Sequence, residues 1–236
     1  MRLAINTFLI ALSLAIGVYA GGGYFYDSFT RADTSCPTIG NGWTYAGNAG
    51  QGRIVNNMFY SLTERSYDYA YRAIPFSKYN YPTEITYQFR YSTGGGSSSN
   101  FSGIVYGNTT TEITDRAVLD VTPVIYAGVN LVSGVVHLTI QNGANKADTT
   151  TFTFNGDTWY KIKVRLTAKA ADLYYAASAD AFSATPTLSL TTTETWGMRG
   201  DYVSMGVSNQ DGAPQLQSAY LEFSMFSPKS GAVSIF

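Results

Sequence analysis

Three tyrosines alternate along one short segment, and their spacing suits the binding of a sugar. Tyr67-Asp-Tyr-Ala-Tyr71 places all three rings on one face if the segment is a strand, because alternate strand residues point to the same side. A second segment, Trp196-Gly-Met-Arg-Gly-Asp201, adds a ring, a cation and an anion. Sugars present flat C–H faces that pack on aromatic rings, and hydroxyls that need polar partners. We therefore predict a ligand-binding set of Tyr67, Tyr69, Tyr71, Trp196 and Arg199. The alternative is that the tyrosines are core residues of a β protein, in which tyrosine is a favoured strand former.

The sequence contains few residues that could bind a metal ion or form a nucleophilic catalytic site. His137 is the sole histidine, and it lies on the polar side of an alternating segment. One histidine cannot form a multi-histidine metal site, and no Gly-x-Ser-x-Gly motif is present to pair with it. We predict that His137 is a surface residue.

The elements that position these residues are predicted to be strands. Apolar and polar residues alternate with period two in four clear segments, which is typical of strands with one buried and one wet face. Asn-Gly and Asp-Gly dipeptides between segments indicate turns. The alternating segments are 84–91, 136–140, 160–166 and 219–225, and the turn dipeptides begin at Asn41, Asn142, Asn155 and Asp211. These patterns predict an all-β protein built as an antiparallel two-sheet sandwich.

The N-terminus has the pattern of a secretory signal. Arg2 precedes an apolar run over residues 8–18, and Val18-Tyr-Ala20 fits the site that a signal peptidase cleaves. An uncleaved anchor is the alternative, but the run is shorter than the roughly 20 apolar residues of a membrane span. We predict a signal peptide over 1–20, one domain over 21–236, and a secreted, extracellular protein with no stable membrane insertion after cleavage.

The charge balance and the cysteine count exclude some partners and one kind of covalent stabilisation. The 15 basic and 16 acidic residues give a net charge of −1, so we expect no nucleic-acid partner. Cys36 is the only cysteine, which excludes an internal disulfide. We interpret Cys36 as a lone loop thiol, while pairing between two chains stays open. Asn100 and Asn108 each begin a glycosylation acceptor pattern, which applies only in a eukaryotic host.

Three parts of the chain share an order of strands and turns with a known family. They are an opening part, a central hairpin and a closing pair, formed by Tyr26–Asp33 with Ile39–Trp43, Gly156–Arg165 with Leu173–Tyr175, and Tyr202–Gln210 with Ala219–Phe226. Together they resemble the concanavalin A-like, laminin-G-like jelly-roll domain over nearly the whole chain after residue 20. The resemblance implies two stacked antiparallel sheets, one of them concave, with the first and last strands as neighbours.

The enzymes of this family have patterns from which the chain departs. A retaining glycosidase needs two carboxyl groups about 5 to 5.5 Å apart, which the family supplies in a Glu-x-Asp-x-(x)-Glu strand, and this chain contains no Glu-x-Asp. The segment from Tyr202 to Gln210 resembles the Tyr-x-Lys-x-Gly-x-Tyr-x-Gln strand of jelly-roll alginate lyases. Ser204 and Ser208 replace its lysine and its proton-transferring second tyrosine. A serine without a base is a poor proton carrier at neutral pH, so we assign no catalytic residues.

A structural calcium ion is a candidate cofactor by the same resemblance, since related sandwiches often hold one. If the first and last strands pair, Asp27 and Glu222 would lie near each other and offer the oxygen ligands that Ca²⁺ prefers. Two solvated carboxylates are the alternative.

Three functions follow from these observations. The first is a secreted, non-catalytic carbohydrate-binding or adhesion module whose partner is a glycan or cell-surface polysaccharide. The second is a structural protein of a virion or cell surface. The third is a divergent polysaccharide hydrolase or lyase, which the missing catalytic patterns disfavour.

Overall fold

The computed structural model describes thirteen segments of the chain: 23–35, 38–46, 52–62, 67–74, 82–92, 100–107, 124–132, 135–143, 145–149, 158–167, 169–191, 202–208 and 217–227. The predicted signal segment 1–20, Cys36, Asn108, Trp196 and Arg199 lie outside these residues. Within them, no helix is long and apolar enough to cross a membrane.

The described residues form strands joined by turns. In chain order the strands are β1 (Gly23–Asp27), β2 (Thr44–Tyr45), β3 (Arg53–Val55), β4 (Met58–Leu62), β5 (Tyr67–Ala73), β6 (Thr83–Ser92), β7 (Asn100–Gly107), β8 (Ile125–Val132), β9 (Val135–Asn142), β10 (Asn145–Asp148), β11 (Tyr160–Leu166), β12 (Ala170–Ala177), β13 (Leu188–Thr191), β14 (Tyr202–Ser208) and β15 (Gln217–Ser227).

Two antiparallel sheets contain these strands. One has eight strands, in the order β13-β12-β11-β6-β15-β4-β3, with β1 also paired to β15. The other has seven, in the order β10-β9-β8-β7-β14-β5-β2. The all-β, two-sheet prediction is confirmed, and so is the pairing of the first strand with the last.

The core lies between the sheets and follows the predicted alternation. Along β11, residues of even number are buried and those of odd number are half-buried. The same pattern holds in β6, where Ile85, Tyr87 and Phe89 are fully buried. Side chains of β7, β8, β9 and β14 meet them from the seven-stranded sheet. Burying this many large rings removes extensive apolar area from water, which is the main favourable term in folding.

Strand β15 corrects one sequence prediction. Strict alternation places Tyr220 on the wet face, but Tyr220 is fully buried. The pairing of β15 with β6 shifts register between Tyr220 and Glu222, so Leu221 is the extra residue of a β-bulge. An extra residue reverses the facing of the strand that precedes it, and for that reason Tyr220 points into the core.

The turn that the sequence predicts at Asn41-Gly42 is present in the structure. Asn41 and Gly42 both have positive φ, 52° and 77°, as a type I′ turn requires. Asn56 and Asn57, between β3 and β4, adopt the same conformation at 50° and 60°. The Asn-Asn pair was not predicted as a turn because it lacks glycine, although asparagine tolerates positive φ better than most residues.

Candidate functional site

The outer face of the seven-stranded sheet is organised in rows that cross the strands. Because paired residues of antiparallel strands point to the same side, the register defines each row. One row runs Thr44, Tyr71, Ser204, Val105, Tyr126, Gln141 and Lys146. The next runs Tyr69, Gly206, Gly103, Gly128, Thr139 and Asp148. Residues between the rows, such as Ala70 and Met205, point into the core instead.

Three glycines from adjacent strands form the middle of the second row. A Cβ added to Gly103 would lie 2.3 Å from the oxygen of Ala127, and one added to Gly128 would lie 2.3 Å from the oxygen of Ser102. Strands β7 and β8 therefore approach each other more closely here than any side-chain-bearing residue allows. The middle of this face is consequently made of backbone, with Tyr69 at one end of the row.

One end of the face, on β8 to β10, is engaged in its own hydrogen bonds. Tyr126 and Gln141 donate to backbone carbonyls at 2.6 Å and 2.9 Å. Thr139 Oγ1 donates to Asp148 Oδ1 at 2.5 Å, and Lys146 Nζ lies 3.0 Å from the other oxygen of Asp148. Because these groups already have partners inside the protein, they are poorly placed to recognise a ligand.

The other end of the face presents aromatic rings. Tyr71 on β5 and Tyr202 on β14 pack edge to face, with ring centroids 5.8 Å apart and an interplanar angle of 85°. Both rings are half-buried, so each keeps contact with solvent. Ser204 is paired in register with Tyr71, and exposed Thr44 lies on the other side of Tyr71. Two partly exposed rings with hydroxyls beside them match the chemistry of a sugar site.

The residues predicted to bind a ligand have different positions. Tyr67, Tyr69 and Tyr71 pair in register with Ser208, Gly206 and Ser204, and the side chains of Tyr69 and Tyr71 lie on the outer face of β5. Tyr69 is only 6% exposed, so its ring lacks the open surface that stacking requires. Tyr71 retains such a surface, and the side chain of Tyr67 lies outside the described part of the structure, as do Trp196 and Arg199.

Tyr202, like Thr44 beside Tyr71, is a site residue that was not predicted from the sequence. The sequence contained a signal for it, because Tyr202 begins the strand that resembles the lyase pattern. Its proximity to Tyr71 depends on the pairing of β14 with β5, which the sequence of neither strand specifies.

Carboxylates are sparse on this face. Among its described side chains, Asp148 is the one carboxylate, and it is held by Thr139 and Lys146. Ser204, at the lyase lysine position, donates to the carbonyl of Val105 at 3.4 Å. His137, also on this face, is half-buried, with Nδ1 2.5 Å from the carbonyl oxygen of Thr149.

The predicted calcium ligands do not converge. Asp27 pairs with Phe223 and points into the core, whereas Glu222 accepts a hydrogen bond from Tyr26 at 3.3 Å on the opposite face of the sheet. Asp27 is already bonded by Arg31 and Trp43. The two strands pair as expected, but a one-residue difference in register separates the carboxylates. In the part of the chain that the structure describes, no group of three or more His, Cys, Asp or Glu side chains is placed to hold a metal ion.

Comparisons with known proteins identify the fold. No family model matches the chain, and no curated protein matches it by sequence. Solved structures do match over most of its length. The CBM2 module of the Lactobacillus casei BL23 phage J-1 evolved Dit is similar with a TM-score of 0.58 and 8% identity, covering 92% of this chain and 100% of the module.

Two further structures show the same likeness. Lectin II from Ulex europaeus gives a TM-score of 0.58 at 9% identity, covering 87% of this chain and 98% of the lectin. SCLam, a non-specific endo-beta-1,3(4)-glucanase of family GH16, gives 0.58 at 11% identity, covering 89% of this chain and 96% of the enzyme. The protein is a concanavalin A-like jelly-roll sandwich, as its sequence predicted.

Proposed function

We propose that this protein is a secreted, non-catalytic carbohydrate-binding module. The single observation that carries the proposal is the Tyr71–Tyr202 pair, which presents two partly exposed rings beside Ser204 at one end of the sheet face. At the other end, Thr139, Asp148 and the amide nitrogen of Gln141 are hydrogen-bonded within the protein. The rings supply apolar surface for a pyranose. The tyrosine hydroxyls supply directional contacts, and the Ser204 oxygen can accept a hydrogen bond while its proton is donated to the carbonyl of Val105.

Chain connectivity extends this proposal to the predicted residues that the structure does not describe. Arg199 precedes Tyr202 by three residues in the sequence, and Trp196 precedes it by six. Both therefore belong to the segment that leads into β14. We propose that they add a third ring and a cation to the same glycan site.

The structural neighbours support a carbohydrate ligand at the level of the fold. They include a lectin solved with galactose and another solved with a methyl glycoside of α-L-fucose. At identities near 10%, such likeness does not transfer a sugar specificity. It does make glycans the first class of ligand to test.

The non-catalytic part of the proposal is based on the carboxylates. A glycosidase uses two carboxyl groups flanking one bond, and the described side chains of the proposed face provide only Asp148, which is already ion-paired. We expect no release of reducing ends from β-1,3(4)-glucan and no unsaturated product from alginate. Turnover that persists through purification would favour the hydrolase or lyase alternative.

The secreted part of the proposal predicts a defined mature terminus. Cleavage after Ala20 should give a protein that begins at Gly21, because Val18-Tyr-Ala20 fits the peptidase site. N-terminal sequencing of material recovered from the medium measures this directly. A sequence that still begins at Met1 would show that the segment is retained.

The glycan site is tested by removing its rings. Tyr71→Ala and Tyr202→Ala should each weaken binding to the best glycan from an array by about tenfold to thirtyfold, which corresponds to about 1–2 kcal/mol of lost stacking. Isothermal titration measures affinity, and thermal melting of the same samples measures stability. Tyr24→Ala is the matched control, since Tyr24 is a 52% exposed tyrosine on the eight-stranded sheet.

Three outcomes of this test contradict the proposal in different ways. Equal loss of affinity in Tyr24→Ala would place the site elsewhere. A large fall in melting temperature with Tyr202→Ala would indicate packing rather than recognition. No glycan bound by the wild-type protein would favour the structural alternative, a virion or cell-surface component without a sugar ligand.

A further inference from the structure

The outer face of the eight-stranded sheet carries a cluster of cations on aromatic rings. Lys161 and Lys163 project from β11 with Arg90 from β6 nearby. We call this cluster the lysine face and define it as Arg90, Lys161 and Lys163 with the rings of Trp159, Tyr174 and Phe182. It lies on the opposite side of the sandwich from Tyr71 and Tyr202.

The cations of the lysine face contact rings rather than carboxylates. Lys163 Nζ lies 4.4 Å from the ring centroid of Tyr174 and 5.1 Å from that of Phe182, while Lys161 Nζ lies 5.2 Å from Phe182. Arg90 Cζ lies 5.2 Å from the Trp159 ring. Among the described residues, no carboxylate comes within salt-bridge distance of these three cations. A cation–π contact is a weak interaction at an exposed site, and no described carboxylate pairs with these three cations to offset their charge.

The spacing of the strand and a shared aromatic contact keep the ammonium groups of Lys161 and Lys163 close to each other despite their repulsion. Residues i and i+2 of a strand lie about 6.5–7 Å apart on the same face, and both lysine ammonium groups approach the same ring, that of Phe182. Two like charges fixed in this way attract an anion that bridges them. The partly exposed rings of Trp159 and Phe182 border the position such an anion would take.

Acidic residues around the lysine face limit the class of molecule that can supply the anion. Glu84 is paired with Arg165 at 3.7 Å, Asp172 lies opposite Arg165 on β12, and Glu222 is paired in register with Gln88. These three carboxylates border the lysine face on the same sheet surface. A nucleic acid or an anionic membrane needs a broad basic footprint, which the acids interrupt. An isolated carboxylate on a sugar ring needs only the lysines and the neighbouring rings.

We infer that the lysine face is a second binding site, specific for the carboxylates of an acidic polysaccharide. The uronate carboxylate lies between Lys161 and Lys163, and the sugar packs against Phe182 or Trp159. This site is independent of the neutral-glycan site proposed on the other sheet. The two sites would let one domain contact a neutral glycan and an acidic polysaccharide at the same time.

The test uses polygalacturonate as the probe and the full-length secreted protein. The double variant Lys161→Gln/Lys163→Gln should lose at least tenfold in affinity by titration, while Arg53→Gln/Lys169→Gln should stay within about twofold. The control removes the same charge from exposed positions outside the lysine face. Wild-type binding should weaken as ionic strength rises from about 0.01 M to about 0.15 M, since the screening length falls from about 30 Å to about 8 Å.

Other outcomes overturn the inference. Absence of polygalacturonate binding at low salt, or equal loss in both double variants, would reduce the lysine face to a solvated surface. Binding to phosphatidylserine vesicles without binding to polygalacturonate would assign it to a membrane. Neutral-glycan binding in the lysine variants reports separately on the Tyr71–Tyr202 site, so failure of one proposal is distinguishable from failure of the other.

Discussion

Replacing Asp27 with asparagine is expected to lower the free energy of unfolding by about 3 kcal/mol, because it removes one partner of a mostly buried ion pair. Asp27 accepts two hydrogen bonds from the Arg31 guanidinium at 2.9 Å and one from Trp43 Nε1 at 2.8 Å. The backbone N–H of Phe29 donates to it at 2.8 Å. An asparagine keeps the shape but puts an N–H₂ group where only donors approach. Chemical denaturation of the wild type and the variant measures the difference.

The same residue predicts a pH dependence with a defined sign. Burial disfavours the charged form of Asp27, but hydrogen bonds from Arg31, from the Phe29 amide and from Asn41 outweigh burial and hold the pKa of the carboxyl below its usual range. A lowered pKa in the folded state contributes stability that is present above the unfolded pKa, about 3.9, and is lost as pH falls through the folded pKa. The stability gap between wild type and Asp27→Asn should therefore be constant above about pH 5 and shrink in more acidic solution.

A surface ion pair provides the control for Asp27. Arg165 and Glu84 lie 3.7 Å apart and are 38% and 37% exposed, against 23% for Arg31 and 3% for Asp27. Glu84→Gln should cost less than about 1 kcal/mol, because exposed pairs contribute little. If Asp27→Asn lowers the free energy of unfolding as little as Glu84→Gln does, the Asp27 carboxylate does not organise the first strand and the turn at Trp43.

The strands and the core were predictable because they depend on local pattern. Alternation in β6 and β11 identified their buried faces, since the side-chain period of a strand is fixed at two. The same argument, applied to β1, would have placed Asp27 inside with Phe25. Asp27 is not available as a surface calcium ligand because Trp43 Nε1, a donor that needs a partner when buried, bonds its carboxylate.

The candidate sites were less predictable because they depend on register between distant strands. Tyr71 was identified from spacing within β5, but its partner Tyr202 comes from β14 through a pairing that no local signal specifies. The lysines of β11 were predicted to face solvent, and they do, but Phe182 reaches them from the connection that follows β12. The bulge at Leu221 shows the same limit within one strand, because one extra residue changes the facing of Tyr220.

Tyr220 links the two sheets at the glycine row that underlies the candidate glycan face. Its ring packs among those of Phe59, Phe89 and Tyr87 in the core. Its hydroxyl reaches Gly206, where it accepts a hydrogen bond from the amide at 3.0 Å and lies 2.8 Å from the carbonyl oxygen. The carbonyl of Gly103 lies 3.2 Å away. One hydroxyl from the eight-stranded sheet thus accepts from the Gly206 amide and has one proton to share between carbonyls of two strands of the other sheet.

Tyr220→Phe is expected to destabilise the protein by about 2 kcal/mol, because the ring remains while the buried Gly206 amide loses its acceptor and the nearby carbonyls lose the one hydroxyl proton. Hydrogen exchange at the Gly206 amide should accelerate beyond the change set by global stability, since its acceptor is gone.

Tyr87→Phe is the matched control: its hydroxyl donates to a single carbonyl, that of Ala127, at 2.9 Å. We expect Tyr87→Phe to lower the free energy of unfolding by about 1 kcal/mol. The exchange rate of the Gly206 amide should then change only as much as global stability does. Because β14 also carries Tyr202, glycan affinity should fall in Tyr220→Phe and not in Tyr87→Phe. Equal stability losses with unchanged Gly206 exchange would show that the hydroxyl is incidental and that the ring alone joins the sheets.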